Sequence, residues 1–197
     1  MKSSLKLIKC GFIVLFIMLI ITGIYIKSSN ILHIVDKIYS PDKATKLVVY
    51  VNKNGDTKKD SVNIKVYNND GRYKTAISFF GQYGGIFWTS NSSKYVIKTK
   101  EYINNIYIVD KNSGYITGID TNLDLALHIY ITNHPGIISF TIDEKSITDY
   151  EFMQWEKDTE TMLIYYEISN LDKNVHSGYF LYDYKNNKIM GMLASAQ

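Results

Sequence analysis

The chain contains few of the residues that mark whole classes of protein. Cys10 is the one cysteine in 197 residues, so no disulfide can form within the chain and its core alone must hold the fold. Proline occurs only twice, whereas tyrosine occurs 17 times. Because tyrosine and isoleucine suit pleated, half-buried surfaces, this composition favours strands over helices.

The charge pattern excludes a nucleic-acid-binding protein. The net charge is +3, and much of it comes from the lysines at positions 2, 6 and 9 near the N-terminus. Arg72 is the one arginine, although recognition of phosphates and bases favours the forked guanidinium group. Without a clustered basic face, we expect no nucleic-acid partner.

The sequence shows no catalytic, metal-binding or cofactor-binding motif. It lacks the G-x-S-x-G turn that presents a nucleophilic serine. His128 and His134 are six residues apart, which is not the i, i+4 spacing that places two metal ligands on one face of a helix. We therefore predict no catalytic residue, no metal site and no cofactor.

The N-terminal segment predicts a membrane anchor. Residues 10–26 form an uncharged run of 17 residues after the three lysines, and a helix of that length spans about 25 Å. The lysines favour a cytoplasmic N-terminus, so the rest of the chain is expected outside the membrane. A cleaved signal peptide is the alternative, but the run is long and no A-x-A site follows it.

This interpretation divides the chain into four regions. Residues 1–9 form a basic cytoplasmic tail, residues 10–27 a single transmembrane anchor in contact with the lipid bilayer, and residues 28–38 a linker with the first strand. Residues 39–197 form an extracytoplasmic β domain. We predict a single-pass protein of the cell membrane.

Short apolar runs separated by turn signals predict antiparallel strands through most of this domain. Examples are KLVVYVN (46–52), SVNIKVY (61–67), MLIYYEIS (162–169) and GYFLYDY (178–184). NNDG, KNSG and KNNK stand where hairpins should reverse. One region differs, because Leu123, Leu127 and Ile131 recur at helical intervals, which predicts a short helix near 121–132 that Asp120 or Thr121 caps. A further strand is the alternative there.

The strands belong to a threefold repeat. YSPDKATKLVVYV, WTSNSSKYVIKTK and WEKDTETMLIYYE each begin with an aromatic residue, continue through a turn with Asp or Asn, and end in an apolar run. A second element follows each copy: NIKVYNNDGRYKTA, NIYIVDKNSGYITG and GYFLYDYKNNKIMG. Each copy is therefore a small sheet that buries its faces by stacking on its neighbours.

The repeat resembles the TolB-type β-propeller repeat, whose blades begin with W-S-P-D-G-K. YSPDKATKLVVY is the nearest match and departs from the pattern at Lys43 and Ala44. The resemblance covers about residues 39–192, with an insertion near 118–151, and it implies an all-β fold of propeller-like sheets. Since closed propellers need at least about four blades, we expect a partial propeller of about three repeats. Repeats of this type also form the non-catalytic part of some serine peptidases, but this chain has no room for a hydrolase domain.

The stretch FFGQYGGIFW (79–88) is the strongest candidate for a binding surface. It combines three glycines with aromatic residues and a glutamine, and glycine lets a partner approach the backbone while aromatic residues anchor sugars or proteins. The candidate binding residues are Gln82, Tyr83, Phe87 and Trp88. The alternative is a hairpin connection whose aromatic residues belong to the core.

These observations predict a binding or interaction module at the cell surface that is not an enzyme. Its expected partner is an envelope protein or a wall polymer. The alternative is an envelope hydrolase that cleaves wall glycan through paired carboxylates, with Asp143, Glu144 and Asp149 as the candidate acids.

Overall fold

The structure is a computed structural model that describes residue 18 and residues 33–53, 60–100, 105–138, 146–157, 160–172 and 174–194. The predicted anchor, residues 10–27, falls almost entirely outside these ranges. No helix within them is both long and apolar enough to cross a membrane. The elements bounded there are β1 (His33–Tyr39), β2 (Thr45–Asn52), β3 (Ser61–Asn68), β4 (Tyr73–Phe80), β5 (Gln82–Trp88), β6 (Lys94–Lys100), β7 (Ile106–Asp110), β8 (Ile116–Gly118), α1 (Asp120–Asn133), β9 (Ile147–Trp155), β10 (Thr161–Ser169), β11 (Val175–Asp183) and β12 (Lys188–Ala194).

The strands form three antiparallel sheets of four strands each. Sheet 1 contains β1 to β4, sheet 2 contains β5 to β8, and sheet 3 contains β9 to β12, always in chain order across the sheet. Each sheet corresponds to one copy of the repeat, and each copy begins at an edge with β1, β5 or β9. The predicted all-β architecture of three propeller-like repeats is confirmed.

Sheet 2 lies between the other two, because its two faces belong to two different cores. The core shared by sheets 1 and 2 contains Leu47, Val49, Val51, Val62, Ile64, Val66, Ile77, Ile86, Tyr95, Ile97 and Val109. The core shared by sheet 2, α1 and sheet 3 contains Val96, Ile106, Ile108, Ile119, Leu123, Ala126, Leu127, Tyr150, Phe152, Met162, Ile164, Tyr166, Ile168, Phe180, Tyr182 and Ile189. Strand alternation produces this division, since successive side chains point to opposite faces.

We call the face of a sheet that meets the following sheet its rear face, and the opposite face its front face. The rear face of sheet 1, with Leu47 and Ile64, packs on the front face of sheet 2, with Ile97. The rear face of sheet 2, with Val96, packs in the same way on the front face of sheet 3, with Ile164. The same kind of contact therefore occurs twice in the molecule.

The first turn of each repeat has one shared geometry. The backbone N–H of Ser40, Thr89 and Glu156 donates to the carbonyl five residues later, at 2.9, 3.0 and 2.9 Å. In the first two copies the predicted support by Asp or Asn is present, because Asp42 and Asn91 each accept a backbone N–H two residues later. The repeat seen in the sequence is thus a structural repeat.

Helix α1 confirms the prediction of a helix near 121–132 but corrects the predicted cap. Ile119 occupies the N-cap position without a side-chain cap bond. The carboxylate of Asp120 instead accepts the backbone N–H groups of Asn105 at 2.8 Å and Ile106 at 3.1 Å. Asp120 therefore fastens the start of α1 to sheet 2, and His134 is the C-cap residue after the last helical residue, Asn133.

Candidate binding cleft between the second and third sheets

All four predicted binding residues lie on β5, the first strand of sheet 2. The FFGQYGGIFW stretch is not a hairpin connection, because it runs from the last strand of sheet 1 to the first strand of sheet 2. Gly81 makes this passage with a φ angle of 127°, and Gly85 lies at a register shift within β5 with a φ angle of 135°. Residues other than glycine rarely adopt such angles, so Gly81 serves the change of sheet and Gly85 the irregularity of the strand.

The structure separates the four residues into two groups. Gln82 and Tyr83 lie at the start of β5 and are half-buried. The hydroxyl of Tyr83 donates to Asp36 Oδ2 at 2.9 Å, and burial together with this carboxylate raises the pKa of Tyr83. Tyr83 therefore ties β5 to β1, whereas Phe87 and Trp88 lie at the far end of the strand.

Phe87 and Trp88 line a cleft between sheets 2 and 3, which we call the aromatic cleft. Its volume is about 570 Å³, within the range of about 300–1,000 Å³ that is usual for ligand sites. Its lining residues are Ile86, Phe87, Trp88 and Ser90 from sheet 2, and Met153, Gln154, Trp155, Glu156 and Lys157 from sheet 3. Two strand edges, β5 and β9, therefore form its walls.

Trp155 fixes the width of the cleft. Its indole Nε1–H donates to the carbonyl oxygen of Phe87 at 3.1 Å, so a side chain of sheet 3 contacts the edge of sheet 2 directly. The Phe87 ring lies 5.3 Å from that of Phe152, which lies 5.8 Å from the ring of Trp155. Phe87 and Met153 remain 37% and 41% exposed, which leaves apolar surface inside the cleft for a ligand.

Trp88 has an unusual polar atom. Its ring packs on Tyr95 with a centroid distance of 4.6 Å. Its indole nitrogen is buried and has no hydrogen-bond partner among the described residues, although buried polar groups normally have one. Trp88 and Trp155 are the two tryptophans of the chain, and both line this cleft.

Trp155 was not among the predicted binding residues. A signal was available, because Trp155 holds the same place in the third copy of the repeat as Trp88 holds in the second. The repeat therefore marks Trp155 as a candidate by its equivalence to Trp88, whereas the meeting of the two residues at one cleft depends on how the sheets stack.

A second cavity, of about 240 Å³, contains the predicted acid Asp149. Asp149 stands directly opposite Glu167 in the β9–β10 register, and Lys98 of sheet 2 pairs with Glu151 nearby. The lining residues are Lys98, Thr99, Lys100, Asn105, Asp149, Tyr150, Glu151, Tyr165 and Glu167. The other two predicted acids, at positions 143 and 144, lie outside the described residues.

Comparison with known proteins shows the fold and no family. No family model matches the chain, and no curated protein matches it. Two crystal structures of the Pyrococcus horikoshii acylaminoacyl peptidase are similar, with a TM-score of 0.53 and 10% identity. The match covers 86% of this chain and 26% of the peptidase chain. The β-propeller domain of the Trilobed protease from Pyrococcus furiosus matches with a TM-score of 0.48 and 9% identity, over 86% of this chain and 45% of that chain.

The likeness to the acylaminoacyl peptidase contradicts the prediction that the protein is not an enzyme. That prediction took propeller-like repeats without a catalytic motif as the mark of a non-catalytic module. The same arrangement of sheets occurs in a chain that is a peptidase, so the repeat is no argument against hydrolysis. At 10% identity the likeness shows the fold alone, and it assigns no catalytic residue to this chain.

Proposed function

We propose that the protein is a binding module that holds an extended polypeptide segment in the aromatic cleft. The observation that carries this proposal is the position of the cleft between two strand edges. In the described residues, β5 pairs only with β6, and β9 pairs only with β10. Each strand thus leaves one edge open toward the cleft.

An open strand edge suits an extended peptide. The Phe87 carbonyl of β5 already accepts from Trp155, and the remaining edge N–H and C=O groups of the two strands can hydrogen-bond to the backbone of a peptide that lies alongside. The half-exposed side chains of Phe87 and Met153 provide an apolar contact surface for one side chain of that peptide. Aromatic anchors in a partly desolvated pocket contribute most of the affinity in many interfaces.

The proposal also includes the place of the protein in the cell. The uncharged run from residue 10 to residue 26, preceded by lysines, supports a single membrane anchor with the sheets outside the cytoplasm. The repeat supports membership of the TolB-type group, and the ligand is then a segment of an envelope protein.

The two tryptophans provide a direct test of the binding site. Because both line the cleft, intrinsic tryptophan fluorescence reports on this site and on no other part of the chain. Random nine-residue peptides displayed on phage are selected against the full chain, and the recovered peptides are titrated while fluorescence is recorded. We expect saturable changes that Phe87→Ala and Met153→Ala weaken at least tenfold.

Tyr115→Ala is the matched control, because Tyr115 is 70% exposed and does not line the cleft. Binding that Tyr115→Ala weakens as much as Phe87→Ala would place the peptide elsewhere. Soluble wall-glycan fragments form the second arm. A saturable response to glycan, without one to any peptide, would overturn the polypeptide proposal in favour of a wall polymer.

A second candidate function is hydrolysis of wall glycan at the second cavity. The observation that favours it is the direct opposition of Asp149 and Glu167 across β9 and β10. Directly opposed residues have Cβ atoms about 4.5–5.5 Å apart, which allows their carboxyl groups to adopt the separation of about 5–5.5 Å that retaining glycosidases use. Release of soluble fragments from labelled wall glycan, abolished by Asp149→Asn and by Glu167→Gln, is the expected result. Equal release by both variants and the wild type would exclude this pair.

A further inference from the structure

The stacking of the sheets leaves one face open at each end. The rear face of sheet 1 covers the front face of sheet 2, and the rear face of sheet 2 covers the front face of sheet 3. Within the described residues, no sheet covers the front face of sheet 1 or the rear face of sheet 3. One open face is a front face and the other is a rear face. Elsewhere in the molecule a rear face packs on a front face at each contact between sheets.

The aromatic residue at the start of each repeat indicates that the front face of sheet 1 lacks a covering sheet. Trp88 packs on the core between sheets 1 and 2, and Trp155 packs on the core between sheets 2 and 3. Tyr39 holds the same position in sheet 1 but is 56% exposed. In the other two copies the aromatic residue at this position packs against the preceding sheet.

The rear face of sheet 3 is apolar at its centre. Leu163 pairs with Leu181 across β10 and β11, and Tyr165 pairs with Tyr179 at a ring distance of 5.4 Å. Leu193, beside Tyr179 on β12, is 57% exposed. Leu163, Leu181 and Tyr179 hold the positions in the repeat of the buried rear-face residues Leu47, Val66 and Ile64 of sheet 1.

The two open faces carry opposite charges. Among its described strand residues the front face of sheet 1 has three lysines and no carboxylate: Lys37, Lys46 and Lys65. The rear face of sheet 3 has four carboxylates and one lysine: Asp149, Glu151, Glu167, Asp183 and Lys188. Lys98 and Lys100 of sheet 2 line the cavity beside Asp149, Glu151 and Glu167, and Lys98 pairs with Glu151. Four carboxylates against these two lysines and Lys188 leave the rear face with a small net negative charge. Complementary faces of this kind favour association and fix its orientation.

The lysines of the front face lie across tyrosine rings. Lys46 Nζ is 5.7 Å from the ring centre of Tyr39, and Lys65 Nζ is 4.7 Å from that of Tyr50. Val48, on the same face between Lys46 and Tyr50 of β2, is 5% exposed. A face of tyrosine and lysine around a buried valine can stack on another sheet.

We propose that a second copy of this chain covers both open faces, with the front face of sheet 1 in each copy stacked on the rear face of sheet 3 in the other. Two copies then contribute six sheets, within the range of about four to eight blades of closed propellers. A twofold axis relates the copies and makes the two contacts equivalent. The dimer repeats, between copies, the contact already present twice within each copy.

Charge reversal and its repair test this proposal on the full chain in a mild non-ionic detergent, with the protein mass measured by light scattering after gel filtration. We expect the wild type to have the mass of two chains at low salt. Lys46→Glu with Lys65→Glu should give single chains, as should Asp149→Lys with Glu167→Lys. The variant with all four changes should recover the dimer, because both reversed faces match again.

Lys157→Glu with Lys185→Glu is the matched control, because it changes the net charge equally at exposed turn positions and should leave the dimer intact. Circular dichroism confirms that each variant is folded. A wild type that remains a single chain at every concentration would overturn the proposal, since solvent or another protein then covers the faces. A dimer that persists in both reversed variants, or an assembly larger than two chains, would overturn it equally.

Discussion

At the scale of single residues, Asp120 is a buried carboxylate whose surroundings change its pKa. It is 8% exposed and joins the start of α1 to two backbone N–H groups of sheet 2. Burial raises its pKa to about 6 against the opposing effect of those hydrogen bonds, and the charge of Asp124 acts in the same direction as burial. The folded protein therefore holds the proton of Asp120 more tightly than the unfolded chain does.

This raised pKa predicts that Asp120 makes stability fall as the pH rises. Above the ordinary pKa of 3.8 the unfolded chain has released the proton, while the folded chain keeps it up to about pH 6. Between these values the contribution of Asp120 to the free energy of unfolding should decline by about 3 kcal/mol. Asp120→Asn does not titrate at this position, so its urea-unfolding free energy should decline clearly less, the remainder coming from Asp124, whose pKa burial also raises.

The measurement is urea unfolding of both proteins from about pH 4.5 to about pH 7. Asp42 and Asp110 have lowered pKa values, so their contributions are lost only below this window. A constant difference between wild type and Asp120→Asn across the window would show that Asp120 does not titrate there.

Asp110 provides a second prediction at this scale. Its Oδ1 accepts the backbone N–H of Asn112 at 3.0 Å and of Ser113 at 2.8 Å, which closes the turn between β7 and β8. Asp110→Ala should lower the unfolding free energy by about 1–2 kcal/mol through loss of both bonds. Asp110→Asn keeps an oxygen that can accept both hydrogen bonds, so it should lower the unfolding free energy by clearly less. Equal losses in thermal or urea unfolding would mean that the charge, rather than the accepting oxygen, supports the turn.

At the scale of elements, α1 acts as part of the core between sheets 2 and 3. Leu123 is fully buried and Leu125, two residues away, is 54% exposed. Leu123→Ala should lower the unfolding free energy by about 3 kcal/mol, because it removes apolar contacts and leaves a cavity. Leu125→Ala on the same helix is the control and should change stability by less than about 0.5 kcal/mol. Similar losses for the two variants in urea unfolding would show that α1 does not pack as described.

The sequence predicted these elements well wherever local patterns decide structure. The hairpin signals, the threefold repeat and the helix near 121–132 all depend on nearby residues, and all three are confirmed. The predicted cap of α1 was wrong, because the carboxylate of Asp120 accepts backbone N–H groups of sheet 2 instead. That partner is distant in the sequence, so no local rule could identify it.

The candidate site was predictable only in part for the same reason. Phe87 and Trp88 were recognised from their local composition, and the structure places both in the aromatic cleft. Trp155 joins them through the stacking of sheets 2 and 3, and this packing is a tertiary property. Gln82 and Tyr83 share the local composition but lie at the opposite end of a strand of seven residues.

At the scale of the whole molecule, the proposed anchor predicts a measurable topology. If residues 10–27 cross the membrane with the N-terminus inside, protease added to intact cells should digest the sheets and spare a tag at the N-terminus. The chain should also stay in the membrane pellet after alkaline extraction. An N-terminal tag that is digested, or a chain released by alkali, would contradict the anchor and favour a cleaved signal peptide.

The order of strands within each sheet has a consequence for how the chain folds as it is made. Every hydrogen-bonded strand pair joins strands that are consecutive in the chain, so each sheet needs only local contacts, which favour rapid folding. Sheet 1 is complete once the chain has reached Phe80, before any residue of sheet 3 exists. The molecule can therefore be built from its N-terminal side during synthesis, one sheet at a time, and each finished sheet serves as the surface on which the next one condenses.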